Sequence, residues 1–203
     1  MQNSIAHEIR NHISICDLYA EIIRKNLANE SIRSESVENA LDCIKKSLKI
    51  MSNSLLDLKA TGDLKVARYD LQMLVKTAIE LSHVYNPKIE ILYTRRDTAE
   101  IYIDECKFLA CLVNIIKNAI EADSTRIEVL TRAEGEFAYV VVANNGEPIP
   151  ADAKIFTEGY TTKKNGTGLG LHICKRNLEL QNAELRLLKS DKKSTAFEIK
   201  IPV

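Results

Sequence analysis

From Val37 onward the apolar residues Val37, Leu41, Ile44, Leu48, Met51, Leu55 and Leu58 recur at alternating steps of four and three, the seam of a helix that packs on other helices. Such a stripe has to be covered, so the spacing dictates a long helix with helical neighbours. It ends near Ala60-Thr61-Gly62, where glycine supplies a C-terminal stop. Upstream, Ile5, Ile9, Cys16, Tyr19 and Ile23 keep the same stepping, with His12 in the slot between Ile9 and Cys16. A first helix is therefore expected to run to about Asn29. The polar stretch from Asn29 to Ser34 is short enough to turn the chain back as an antiparallel hairpin. One hairpin covers one stripe per helix, so a second copy is expected to cover the rest in a dimeric four-helix bundle.

After Gly62 the pattern becomes mixed. Leu71 to His83 reads as a helix, Ile89 to Thr94 and Ile101 to Ile103 as strands, and Asp104 to Ala122 as an amphipathic helix opening on acidic residues. Strand-rich runs follow at Arg126 to Leu130 and Phe137 to Val142, with Gly135 between them. A helix from about Leu169 to Gln181 and strands at Glu184 to Leu188 and Thr195 to Ile201 close the chain. Without strict β-α-β alternation, the fold class is α+β: a helical hairpin over 1–62, then an α/β sandwich over 63–203.

Lys+Arg and Asp+Glu both total 28, so no global basic field exists to hold nucleic acid or an anionic membrane. Any phosphate binding must be local. The five cysteines, Cys16, Cys43, Cys106, Cys111 and Cys174, are dispersed and form no C-x-x-C pair. That speaks against a disulfide framework or a zinc knuckle and for reduced thiols in a cytoplasmic setting. No run approaches eighteen consecutive apolar residues, and no direct contact with a membrane is expected.

At about 100° per residue, His7 stands about 200° from both Ile5 and Ile9 and points away from the seam, whereas His12 lies about 20° from Ile5 and faces it. An exposed imidazole can attack a phosphoryl group when a neighbour fixes its tautomer, and Glu8 is the adjacent candidate. A zincin helix is excluded, because H-E-x-x-H sets its histidines four apart. His7-Glu8-Ile9-Arg10-Asn11-His12 sets them five apart. The segment His7 to Asn11 resembles the phosphoacceptor box of two-component sensor histidine kinases. The resemblance implies that His7 is phosphorylated, that Glu8 serves as base, and that Asn11 orients water when the kinase dephosphorylates its regulator. The proline usual after the asparagine is His12 here, so an expected kink is removed.

Asn114 and Asn118 sit one turn apart on one helical face among Leu112, Ile115 and Ile116. Such amides can contact phosphate and complete the oxygen shell of Mg²⁺. Asn114-Ile-Ile-Lys-Asn118-Ala resembles the asparagine box of the Bergerat-type ATPases, to which histidine kinases, gyrases and certain chaperones belong. That implies Asn118 as the Mg²⁺ ligand, with Lys117 near the phosphates. Asn114 stands where hydrolysing relatives carry a glutamate, and an amide cannot activate water at neutral pH. Asn144-Asn145-Gly146-Glu147-Pro148 follows a strand and, taken alone, reads as a tight turn. By resemblance it is the first glycine box, with Asn144 at the position of the adenine-binding aspartate and Pro148 in place of the second glycine.

Tyr160-Thr161-Thr162-Lys163-Lys164-Asn165-Gly166-Thr167-Gly168-Leu169-Gly170-Leu171 opens a helix, with three glycines at alternate positions. Backbone N–H groups can there approach phosphate oxygens at a helix N-terminus. The spacing fits neither a P-loop nor a dinucleotide fingerprint. It is similar to the second glycine box of histidine kinases, which implies an ATP lid from about Ala151 to Gly166. In that lid Phe156 is an anchor, Thr162 and Lys163 lie near the phosphates, and Gly166, Thr167, Gly168, Leu169 and Gly170 form the turn. Asn182-Ala183 stands where the family often has paired glycines.

The resemblance covers essentially the whole chain, in family order. It implies a homodimeric protein histidine kinase that uses ATP and Mg²⁺ and passes phosphoryl to the receiver domain of a response regulator. H-E-I-R-N with T-T-K leans toward the nitrogen-regulation and flagellar-gene group. A protein-serine switch kinase would need no phosphoacceptor hairpin. A degenerate ATPase that only scaffolds partners is the alternative that Asn144 and Pro148 leave open. Only six residues precede His7, so the chain is expected to be part of a longer sensor.

Overall fold

The computed structural model describes residues 63–162 and 168–203, together with 13, 15–16, 18–20, 23, 37, 39–44, 47–48 and 51. The chain divides into two units, Met1–Lys59 and Ala60–Val203. In the first unit the described residues are helical. Cys16 Sγ reaches the Ile44 carbonyl oxygen at 3.8 Å, and Ala40 and Ser47 are buried while Ile13, Leu18, Leu41 and Leu48 stay exposed. The hairpin expected over 1–62 falls largely outside the described residues, as do its turn and His7, Glu8 and Asn11.

The second unit is a layer of helices on a mixed sheet. Its elements are β1 (Ala67–Asp70), α1 (Leu71–Ser82), β2 (Glu90–Arg95), β3 (Glu100–Ile103), α2 (Glu105–Glu121), β4 (Arg126–Glu134), β5 (Phe137–Asn144), α3 (Gly170–Glu179), β6 (Glu184–Ser190) and β7 (Thr195–Pro202). The five-stranded sheet runs β2-β4-β5-β7-β6. β2 is parallel to β4 and every other pairing is antiparallel. β1 and β3 form a separate two-stranded antiparallel ribbon. β1 was not expected: its residues are nearly all exposed, so its strand comes from pairing with β3 rather than from an alternating pattern.

Local chemistry sets the helix starts. The Asp70 carboxylate accepts the Gln72 and Met73 N–H groups at 2.7 and 3.1 Å, and Asp104 accepts that of Lys107 at 3.0 Å, so side chains replace the missing intrahelical partners. Asp123 and Asn182 end α2 and α3 in the left-handed conformation, at φ 56° and 58°. Asn182 therefore makes the turn that a glycine would make.

α2 is buried on nearly every side, with Phe108, Leu112, Ile115 and Ile116 fully enclosed between the sheet and the flanking helices. Truncating any one of these to alanine costs about 2–5 kcal/mol. Ala138, Val140 and Val142 of β5 and Ile199 and Ile201 of β7 complete the core. On the other face of the sheet, Glu198 is buried between two arginines. Its carboxylate meets Arg132 Nη2 at 3.2 Å and Arg186 Nε at 2.9 Å, which supplies the pairing that a buried charge requires.

Candidate nucleotide site

Two loops and one helix face make the candidate site. Asn114 is half-buried on α2 against the first residue of α3. A Cβ placed on Gly170 would lie 2.7 Å from Asn114 Oδ1 and 2.8 Å from Nδ2, so the Asn114 amide packs directly on the α3 backbone and a side chain there would displace it. Asn114 Nδ2 also donates to Cys174 Sγ at 3.5 Å. Cys174 Sγ in turn reaches the Cys111 carbonyl oxygen at 3.7 Å. Burial, together with the neighbouring Cys174, pushes the Cys111 thiol well above its ordinary pKa, so it stays neutral. Asn118 is half-buried one turn on. Lys117 is turned toward other groups: its Nζ lies 3.8 Å from Glu121 Oε1 and 5.1 Å from the centre of the Tyr85 ring.

At the far end of α2, Asn144 closes β5 as a buried residue. Its Nδ2 donates to Ser124 Oγ at 2.9 Å, and Ser124 Oγ donates to the Ala119 carbonyl at 2.6 Å. Asn145 ties down the same corner by accepting the N–H groups of Thr125 and Arg126, each at 3.0 Å. Gly146 lies so close that a Cβ would fall 2.2 Å from the Ala122 carbonyl oxygen and 2.5 Å from Ser124 Oγ. The Glu147 N–H donates to that Ala122 carbonyl at 2.8 Å. The glycine that the sequence marks as a turn residue is thus required by close approach to the end of α2.

The glycine-rich turn is pinched at its base. Gly168 has φ 66°, and a Cβ there would lie 2.3 Å from the Gly159 carbonyl carbon. The Gly159 N–H donates to the Gly168 carbonyl at 3.1 Å. Between them Thr162 is exposed, while Lys163, Gly166 and Thr167 lie outside the described residues. Leu169 stands at the N-cap of α3 with no side-chain cap bond, unlike the aspartates that cap α1 and α2. Phe156 holds the segment down: its ring meets Phe197 edge-on at 6.5 Å, and its carbonyl accepts from His172 Nδ1 at 3.2 Å. A carbonyl only accepts, so His172 Nδ1 is the donor in this contact.

Ser124, Gly159 and Cys174 were not singled out from sequence. Gly159 was findable, as one of only seven glycines and the one that precedes the Tyr160 run. Ser124 and Cys174 become visible only through their partners.

Residues 103–203 match the family described as histidine kinase-, DNA gyrase B- and HSP90-like ATPase. These residues are an ATPase domain of the histidine-kinase type. Similarity to full kinases runs along the whole chain. It is 27% identical over 206 residues to sensor histidine kinase ZraS of Escherichia coli strain K12, covering 98% of this chain and 44% of that protein. It is 28% identical over 209 residues to sporulation kinase C of Bacillus subtilis, covering 98% and 47%. The chain thus spans less than half the length of these relatives. The solved catalytic domain of histidine kinase ThkA shares 26% identity at a TM-score of 0.61, over 68% of this chain and 95% of that one. ThkA in complex with response regulator protein TrrA shares the fold at a TM-score of 0.59 and 22% identity, over 100% of this chain and 60% of that one.

The ATPase domain offers what a nucleotide triphosphate needs. Gly146, Gly168 and Gly170 let the backbone pack closely against Ala122, Gly159 and Asn114, and the N-terminus of α3 favours an anion. Among the described residues no cluster of three or more His, Cys, Asp or Glu could hold a metal by itself. A magnesium ion carried in on phosphates, with a single amide oxygen such as that of Asn118, fits that donor set. No helix among the described residues is long and apolar enough to cross a membrane.

Proposed function

We propose that the chain binds MgATP in the C-terminal unit, transfers the γ-phosphoryl group to His7, and passes it to an aspartate in the receiver domain of a response regulator. The observation that carries this reading is the seating of Asn114 against Gly170, which joins the asparagine face of α2 to the glycine turn that opens α3. In this reading Asn144 meets the base. Thr162, Lys163, Gly166, Thr167, Gly168, Leu169 and Gly170 cradle the phosphates, and the Asn118 amide oxygen completes the magnesium shell. The ion draws charge from the phosphate oxygens.

A ring nitrogen of His7 attacks the γ-phosphorus, the bond to the ADP oxygen breaks, and Glu8 takes the proton from the other ring nitrogen. Asn114 supplies no base for water, so phosphoryl transfer to His7 is favoured over hydrolysis. Lys117 stands further back, through its contacts with Glu121 and Tyr85. Residues 1–62 act as the dimerisation and phosphoacceptor hairpin of a homodimer, with Asn11 aligning water when the regulator is dephosphorylated, and 63–203 as the catalytic domain. The ThkA complex with TrrA supports a receiver domain as partner. Cytoplasmic placement and the nitrogen-regulation subgroup belong to the same proposal.

Incubation with radiolabelled ATP and Mg²⁺ tests it. The expected result is label that is lost in acid, kept in alkali, and absent from His7→Gln and Asn118→Ala. ATP binding without any label would overturn the kinase and leave a scaffold.

A further inference from the structure

Asn144 differs from an aspartate in one respect that matters for recognition. A carboxylate presents only acceptors, whereas a carboxamide rotated by half a turn exchanges its acceptor for two donors. An asparagine that reads a base therefore needs something to stop it turning.

The end of α2 supplies that stop. Asp123 N–H bonds to the Ile120 carbonyl, which leaves the Ala119 carbonyl to another donor, and Ser124 Oγ takes it at 2.6 Å. A hydroxyl has one proton. With that proton committed to Ala119, Ser124 Oγ can only accept from Asn144, which it does from Nδ2 at 2.9 Å. Both side chains are buried, at 8% and 6% exposure, and Gly146 closes over the hydroxyl. Turning the amide would set a carbonyl oxygen against an oxygen with no proton to give. With Nδ2 held, the acceptor Oδ1 is the end of the amide left for a ligand. Gln72 Oε1 is the one fully buried, unpartnered side-chain polar atom among the described residues, so Asn144 Oδ1 keeps contact with solvent.

The geometry assigns Ser124 a role as a positioning residue that makes this site read a 6-amino purine. By holding Asn144 with its acceptor left for the ligand, it selects a base that donates from an exocyclic amine and rejects one carrying a 6-oxo group. The inference rests on the reading that Asn144 meets the base.

Equilibrium titration of the whole chain with ADP and with inosine diphosphate, both with Mg²⁺, tests it. Wild type is expected to prefer ADP. In Ser124→Ala the released amide serves either base, and the preference should fall about tenfold, the worth of one hydrogen bond. Ser124→Thr keeps the hydroxyl and should keep the preference. On an Asn144→Asp background, Ser124→Ala should leave the ratio unchanged, because a carboxylate offers no donor whichever way it turns. If Ser124 only shores up the end of α2, its removal would weaken both ligands in parallel on both backgrounds, and the inference fails. A wild type that prefers ADP while Ser124→Ala keeps the full ratio sinks the lock alone. A wild type that takes neither diphosphate sinks the reading of Asn144 along with it.

Discussion

At one end of the candidate nucleotide site, Asn144 is bonded to Ser124 and Ser124 to the last turn of α2, Asn145 is bonded to Thr125 and Arg126, and Gly146 packs against the Ala122 carbonyl. At the other, the segment leading into α3 is fastened at the Gly159–Gly168 neck and by Phe156, and Thr162 beyond the neck is exposed. The first end is formed before any ligand arrives and can discriminate. The second is anchored at its base, at the neck and at Phe156, on either side of the residues proposed to meet the phosphates.

The sharpest way to break this contrast is Gly146→Ala. The new Cβ would meet backbone, the Ala122 carbonyl oxygen at 2.2 Å, so the loop must lift off α2. We expect a loss of about 2–3 kcal/mol in unfolding free energy by chemical denaturation, and an unchanged midpoint would refute the rigid end.

Gly168→Ala is expected to act differently. A side chain at φ 66° is strained and collides with Gly159, which costs about 1–3 kcal/mol. Because Gly168 belongs to the turn proposed to cradle the phosphates, most of that should appear as weaker ATP binding, tenfold or more by titration, with a melting temperature closer to wild type than that of Gly146→Ala. A larger drop in melting than in affinity would reverse the assignment.

The smallest effect is expected from Phe156→Ala, which removes an edge-on ring pair worth about 0.5–1.5 kcal/mol. Limited proteolysis should then cut faster between Ala151 and Gly168 in the absence of nucleotide, with ATP restoring protection. Equal cutting rates would mean that Phe156 does not hold the segment.

How far the sequence carried depended on whether the determinants were local. α2 was legible to its caps, because Asp104 supplies an acceptor at one end and the apolar positions between are dense. Gly168 and Gly170 were legible as special positions because glycines at alternate places before a helix had no other local explanation, and they stand at φ 66° and at the first residue of α3. β4 and β5 run past the expected Leu130 and Val142, to Glu134 and Asn144, because their pairing continues through mixed residues such as Arg132 opposite Tyr139. The direction of Lys117 could not be read, since Tyr85 comes from a separate stretch of chain. Ser124 showed only as a serine two residues past a helix end, and its meaning lies in Asn144, twenty residues on.

The pairing of β5 with β7 has a consequence for how such a domain can diversify. Asn144 and Thr195 are direct partners across that ladder, so the sheet itself holds together the two ends of everything between them. Within that span, the Gly159–Gly168 bond closes the tip off once more. Lengthening a loop whose ends are already held costs only about 0.6 kcal/mol per doubling. Changes in chain length beyond the Gly159–Gly168 closure therefore fall outside the strand ladder, and descendants of one scaffold can vary there while the corner built by Asn144 and Ser124 stays as it was.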